Sequence, residues 1–383
     1  MPIAQAPADW SKEWFEIDDA TYLNTAAGSP LPRVAVRAVQ ASLEASQSHR
    51  ITDSLYFDVP NRLRASLAKL IGGKPIEIAL TTGASTGMSA LSHLLDWSPG
   101  DEVITTKGEF PLQYATWKPM EEREGIALKI VTARDHFITA DDLIDAITPR
   151  TRVVSVSHVR FDDGSLLDAA RVAAACHAAG AVLVLDVSQS CGAEPLDVDE
   201  LGVDFLVCAG YKWLLGPYGT GFFWARGNHL AKGRRGPFNW AAQDSDTFST
   251  LNFVDPEPSH SAKRWDAAES HTLFNLNLTA MDAAVDLVLR FGPARVREHN
   301  RALIQLLFDS LPARCIPASP LDPAQRGPYG CFTGQTRDET VDLYRRLRNE
   351  KVVVSMREGR IRVSPHLFNS TQDIACLIRA LGT

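Results

Sequence analysis

The stretch "RVVSVSHVRFDDGSLLDAARVAAACHAAGAVLVLDVSQSCGAEPLDVDELGVDFLVCAG", residues 152–210, decides how this chain folds. Three apolar, β-branched runs stand in it, RVVSVSHV (152–159), AVLVLDV (181–187) and DFLVCAG (204–210). Between them lie LLDAARVAAACHAAG (166–180) and PLDVDELGV (195–203). Continuous apolar strands separated by helical patterns predict a mostly parallel sheet covered on both faces. The rhythm extends upstream through IEIALTT (76–82), DEVITT (101–106) and ALKIVTA (127–133), and GTGFFWAR (219–226) reads as a further strand after a glycine loop.

Beyond that strand the rhythm stops. Residues 226–265 are rich in Pro, Gly, Ser and Asp and read as a long excursion near a site or a subunit contact, because loops of that length are usually functional. A long helix comes next, NLTAMDAAVDLVLRF (277–291). The tail then reads strand, helix, strand pair, helix: YGCFTGQ, DETVDLYRRLRNE, VVVSMREGRIRVS and TQDIACLIRAL. The expectation is α/β: a large domain over 20–265 with a mostly parallel mixed sheet sandwiched by helices. A smaller α+β domain would form from 1–19 and 266–383.

At 383 residues the chain suits one large domain and one smaller one. A net charge of −7 argues against nucleic acid, which needs a basic face. The six cysteines are scattered with no CxxC pair, so neither a zinc site nor a disulfide framework is suggested, and reduced thiols in a cytoplasmic protein are expected. MPIAQAPADWSKEWF lacks the basic start and apolar core of a signal peptide, and no apolar run approaches the roughly 20 residues a bilayer needs.

Ligands of open parallel sheets sit outside the carboxyl ends of the strands. Three such ends carry suggestive groups. Asp186 closes the strand AVLVLD, where it could equally serve as an N-cap for the next segment. TTGASTGMSALSHLL (81–95) is strand, glycine turn and helix; its backbone N–H groups and the hydroxyls of Ser85 and Thr86 favour a phosphate, though a plain tight turn would look the same. In CAGYKWLLGPYGTG (208–221), Lys212 sits between an apolar strand and a glycine run, where an ammonium is costly to bury unless it snorkels to the surface. A carboxylate, a phosphate cradle and a lysine at the ends of one sheet are the three groups pyridoxal phosphate needs.

The segment LVLDVSQSCGAEPLDVDELGVDFLVCAGYKWLLGPYGTGFFW (183–224) resembles the class V aminotransferases, a family that includes cysteine desulfurases, kynureninases and isopenicillin N epimerase-like enzymes. The resemblance runs from YLNTAAGSPLP to IRVSPHLFNSTQDI, nearly the whole chain. It implies the pyridoxal-phosphate transferase fold of type I, and a two-fold homodimer with its active site at the interface. It implies Lys212 as the Schiff-base lysine and proton shuttle, Asp186 on the pyridine nitrogen and Gln189 on the phenolic oxygen. Ala84, Ser85 and Tyr211 would bind phosphate, Phe110 would stack on the ring, and Thr272 would reach the phosphate from the other subunit. On the substrate side it implies Arg362 on the α-carboxylate, with Arg360 its close competitor, and Asn24 from YLNTAAG.

This chain departs from its relatives at three points. VSMREGRI carries no cysteine before the clamp arginine, where desulfurases keep a mobile nucleophile, and Cys331 falls in an apolar strand pattern. SHVRFDDG has Arg160 and Phe161 where an asparagine is usual; Arg160 would read a second acidic group on the substrate or pair with Asp162 or Asp163 at the surface. Ala209 replaces a hydroxyl that is common three residues before the lysine. The leading expectation is transamination of a small amino acid, with no metal. A C–S or Cβ-cleaving lyase and an epimerase are alternatives, and a catalytically idle cofactor-binding regulator is the non-enzymatic one.

Overall fold

A computed structural model of the chain describes residues 14–17, 19–48, 58–232, 259–266 and 275–382. The first half runs β1 (Thr21–Tyr22), α1 (Arg33–Gln47), α2 (Val59–Ile71), β2 (Ile78–Thr81), α3 (Ala84–Leu94), β3 (Glu102–Thr106), α4 (Pro111–Glu124), β4 (Ala127–Val131) and α5 (Ala140–Ile144). Next come β5 (Thr151–Ser157), α6 (Ala169–Ala178), β6 (Val182–Asp186), β7 (Phe205–Ala209), β8 (Gly221–Ala225) and α7 (Gly227–Lys232). The remainder is α8 (Asn275–Phe291), α9 (Pro293–Ser310), β9 (Ile316–Pro317), β10 (Gly330–Thr333), α10 (Arg337–Asn349), β11 (Val352–Val353), β12 (Ser355–Arg357), β13 (Arg360–Val363) and α11 (Thr371–Leu381).

Seven strands form the main sheet in the order β2-β8-β7-β6-β5-β3-β4. The ladders joining β7, β6, β5, β3 and β4 are all parallel, and β8 runs antiparallel to both of its neighbours, β7 and β2. Alternate side chains supply two cores. Leu183, Leu185, Leu206 and Phe222 face α2, α6 and α8, whereas Val182, Val184, Val207 and Phe223 face α3 and α4. Each fully buried Leu or Phe contributes about 1.5–3 kcal/mol.

The crossover between β6 and β7 differs from expectation. PLDVDELGV forms turns and no helix. Asp197 Oδ1 accepts from the backbone N–H of Asp199 (2.9 Å) and Glu200 (3.1 Å), and Gly202 at φ 63° ends the turn before another can form. A side chain that satisfies its own backbone competes with the helix ladder. The helical pattern after 277 is likewise two helices, because Gly292 (φ 80°) and Pro293 end α8 and start α9.

A second sheet, β12-β13-β10-β9, is antiparallel, and β1 pairs in parallel with β11. Leu23 packs in the core of this smaller unit with Leu303, Phe332, Ile361 and Leu377. Helix α8 instead packs on α1 and α2 and joins the core of the main sheet. We therefore propose that the smaller unit takes in residues 21–24 and begins again near Pro293, rather than at 266. Among the described residues no helix is long and apolar enough to cross a membrane.

Candidate active site

Register places the informative strand ends side by side. Ser157 of β5 lies opposite Asp186 of β6, and Asp186 opposite Val207 of β7. Ala209, closing β7, lies opposite Gly221 of β8, which in turn lies opposite Thr81 of β2. The chain leaves β2 at Thr81 and enters α3 through Gly83, so the helix start, Asp186 and the Lys212 loop share one edge of the sheet.

The Lys212 loop is tightly closed. Gly210 N–H donates to Thr220 O (2.8 Å), Gly216 N–H to Gly210 O (2.8 Å) and Leu215 N–H to Lys212 O (3.1 Å). A Cβ on Gly210 would stand 2.3 Å from Thr220 Oγ1, so no larger residue fits that crossing. Lys212 itself is buried and faces two rings, with Nζ 5.6 Å from the centroid of Phe110 and 5.8 Å from that of Tyr211. Burial pushes its pKa down to about 8; Asp186 opposes that shift and Arg362 and Arg357 add to it.

Asp186 is buried, and its Oδ1 accepts from Ser188 N–H (2.8 Å). Gln189 accepts from Trp213 Nε1 (3.0 Å) and donates to Ala26 O (3.1 Å), which leaves one amide hydrogen for another acceptor. Helix α3 starts at Ala84 with Gly83 as its cap and no side-chain cap bond, so its first N–H groups are open donors. A Cβ on Gly83 would meet nothing within 4 Å, whereas one on Gly221 would stand 2.7 Å from Gly83 Cα. Glycine at 221 lets the strand pass beneath the turn, and the space above the turn is open. Ser85 is exposed there and Thr86 is bonded to Thr82 (2.7 Å).

Tyr211 stacks on Tyr218 at 4.3 Å, and its carbonyl accepts from Ser29 N–H (2.9 Å). Phe110 is 40% exposed despite its apolar ring and packs edge-on to Phe161 at 5.4 Å. Asn24 is bridged to Ser364, and its Oδ1 is buried without a partner. Arg362 is buried, donates through Nη1 to Phe161 O (2.8 Å), and keeps a buried Nε with no partner. Arg360 pairs with Asp162 at 3.1 Å, whereas among the described residues no carboxylate pairs with Arg362. Thr272 lies outside the described residues.

Arg160 is bound to neighbouring protein groups: Nη1 donates to Thr106 Oγ1 (2.9 Å), and Nη2 donates to the carbonyls of Lys107 (3.1 Å) and Gly108 (2.9 Å). It also pairs with Asp162 (3.2 Å) and Asp163 (3.5 Å) and approaches Glu109 (3.9 Å), all of them buried. Pairing with the two aspartates was one of the sequence alternatives, but it happens in the interior. Glu109, whose pKa is raised by burial and lowered in part by Arg160, directly precedes Phe110, so this network fixes the loop that carries the ring. Removing one partner of a buried ion network typically costs about 3–5 kcal/mol. Arg160→Met is expected to lose roughly that much stability in urea unfolding, far beyond an exposed arginine such as Arg345.

His158 is not an acid–base candidate at neutral pH, because burial pushes its pKa down to about 4 and Nδ1 is bonded to Ser190 (3.0 Å). All six cysteines are described; five are buried, and burial raises the Cys331 thiol to about 12. A mobile nucleophilic thiol is therefore missing near Arg362. Two groups escaped the sequence reading. Ser355, opposite Arg362, has a buried hydroxyl with no partner, and Arg357 lies one hairpin turn away. Strand alternation in SMREGRIRV could have flagged both, had the hairpin register been known.

This is an open α/β sheet with a lysine, a carboxylate and an uncapped helix start converging at one edge, the pattern of an enzyme built to hold a phosphorylated cofactor. The family profile described as aminotransferase class-V matches residues 21–380, and the chain belongs to that family. Isopenicillin N epimerase of Streptomyces clavuligerus is 29% identical over 385 residues, 94% of this chain and 93% of that one. A probable cysteine desulfurase of Methanothermobacter thermautotrophicus is 24% identical over 94% of this chain and 93% of its own. Among solved structures, a lysine-to-alanine mutant of C-DES with glycine covalently linked to its pyridoxal-phosphate cofactor superposes with a TM-score of 0.86. It is 23% identical and covers 97% of this chain and 98% of its own, a likeness of fold.

The family's cofactor is pyridoxal 5′-phosphate, and the residues present fit it. The buried amine, the carboxylate at the end of β6, the open space above Gly83 and the half-exposed ring of Phe110 are groups that a planar phosphorylated cofactor could engage.

Proposed function

We propose that the protein is a pyridoxal-phosphate-dependent aminotransferase acting at Cα of a small amino acid. The observation that carries this reading is Lys212, a buried amine with Nζ facing the Phe110 ring at 5.6 Å and a pKa pushed by burial to about 8, on which Asp186 and Arg362 act with opposite sign. When bound, the cofactor supplies an aldehyde and an electron-accepting pyridine ring.

The chain's own residues do the rest. Ala84 and Ser85 bind the phosphate through the first N–H groups of α3. Asp186 would hold a proton at the ring nitrogen, Gln189 would donate its remaining amide hydrogen to the phenolic oxygen, and Phe110 would exclude water from one face. Arg362 binds the α-carboxylate with Nε and Nη2, a planar donor suited to it. Lys212 Nζ would hold the cofactor through its aldehyde and, once free, would take the proton from Cα. A single base on one face of Cα is compatible with transamination. His158 and His366, with pKa values pushed to about 4 and about 3, are too acidic to serve as a second proton carrier. Lack of a mobile thiol weighs against persulfide-forming desulfuration. Retention of Lys212, Asp186 and Arg362 together weighs against an idle regulator. Exposed Leu31, Val36 and Leu43 on and beside α1 support a two-fold dimer.

The test is a single-turnover experiment with the purified holoenzyme and a panel of amino acids. Conversion of the cofactor to its amine form with one equivalent of oxo acid supports the aminotransferase. Unchanged cofactor with release of pyruvate, sulfide or ammonia would make it a lyase, and solvent deuterium at Cα with the opposite enantiomer would make it an epimerase.

A further inference from the structure

Strands β12 and β13 form a hairpin whose turn is Glu358 (φ 46°) and Gly359 (φ 77°), both left-handed, as a two-residue primed turn requires. Its register pairs Ser355 with Arg362 and Arg357 with Arg360. Residues directly opposite one another in an antiparallel pair, and residues two apart along a strand, share a face. Ser355, Arg357, Arg360 and Arg362 therefore line one face of the hairpin, and it is the face that meets residues 161–162, through Arg362 on Phe161 O and Arg360 on Asp162.

Exposure grades along this face. Arg362 and Ser355 are buried, Arg360 is half-buried, and Arg357 at the hairpin tip is exposed. Their partners differ as well. Arg360 has the carboxylate of Asp162. Arg357 has no carboxylate among the described residues, and its Nη1 donates only to the carbonyl of its neighbour Met356 (3.1 Å). Behind it, Arg362 Nε and Ser355 Oγ are buried and unpartnered. Three positive side chains on one face with one carboxylate among them leave room for an acidic ligand with two anionic ends. The face is linked to the reacting amine through packing: Arg362 bonds Phe161 O, the Phe161 ring packs edge-on to Phe110 at 5.4 Å, and Phe110 faces Lys212 Nζ at 5.6 Å.

We propose that the substrate is an amino acid with a second acidic group on its side chain, and that Arg357 and the unpartnered hydroxyl of Ser355 form the subsite for that group while Arg362 takes the α-carboxylate. This rests on the functional reading above, because it assigns Arg362 to the α-carboxylate. The second-acid role that the sequence offered to Arg160 thus passes to Arg357, the arginine that the fold leaves open. Diagonal neighbours across the hairpin have Cβ atoms roughly 7–8 Å apart, within reach of both ends of a four- or five-carbon diacid.

The experiment is isothermal titration calorimetry of the holoenzyme with glutarate and with butyrate, which carry no amine and do not react. Glutarate is expected to bind about tenfold more tightly than butyrate, the usual scale of one charge-assisted contact. That margin should shrink as salt is raised, because Arg357 is exposed. Arg357→Met should bind the two alike, and Arg357→Lys should keep part of the difference. Equal affinities in the unmodified enzyme, no binding of glutarate, or a margin that survives in Arg357→Met would overturn the proposal. Failure of the reaction itself reads differently: no amino acid then alters the cofactor's absorbance, whatever the calorimeter records.

Discussion

Lys212→Ala is expected to lower turnover by about 10³-fold or more, because in the proposed reading it removes both the covalent anchor and the base that moves the Cα proton. The protein should remain folded and bind the cofactor non-covalently through α3 and Asp186, with the absorbance of the free aldehyde instead of the lysine imine. Burial gives Lys212 a pH signature as well. Its folded pKa is about 8 against 10.5 for a free lysine side chain, so between those values the unfolded chain holds more protons than the folded one. Stability of the cofactor-free protein should therefore rise as pH goes from about 8 to about 10.5, and this rise should be missing in Lys212→Ala. The rate at which the cofactor-free protein takes up pyridoxal phosphate should climb through pH 8 and then level, following the neutral amine.

Asp186→Asn should lower kcat by about 10²–10³-fold with a smaller change in KM, the scale found when one preorganised electrostatic partner is removed. Asparagine fills the same space at the end of β6 and can still accept from Ser188 N–H. Only the charge that would keep a proton on the ring nitrogen is lost. Steady-state kinetics on the variant would show this split. A loss confined to KM would mean that Asp186 positions substrate rather than supporting the chemistry.

The main sheet was legible because its central strands β6, β7 and β8 are buried on both faces and read as near-continuous apolar runs, so Asp186 and Lys212 could be placed at strand ends from the sequence. The helix start at Ala84 was legible from its glycine turn. Other features depend on tertiary partners. The connection at 195–203 has helical residues, yet Asp197 turns its carboxylate onto its own backbone. Arg160 looked available because its partners Thr106, Glu109 and the carbonyls of Lys107 and Gly108 are some fifty residues away. Leu23 and α8 pack across the expected domain limits, since packing follows shape and not chain order. The open face of Arg357 needed the hairpin register, which one sequence cannot supply.

Whether Lys212 carries the cofactor is tested most directly by borohydride reduction of the holoenzyme, followed by proteolysis and mass spectrometry. The expected result is a stable pyridoxyl-phosphate adduct on the peptide containing Lys212 and on no other lysine. An adduct on a different lysine, or none in a preparation that contains the cofactor, would contradict the assignment.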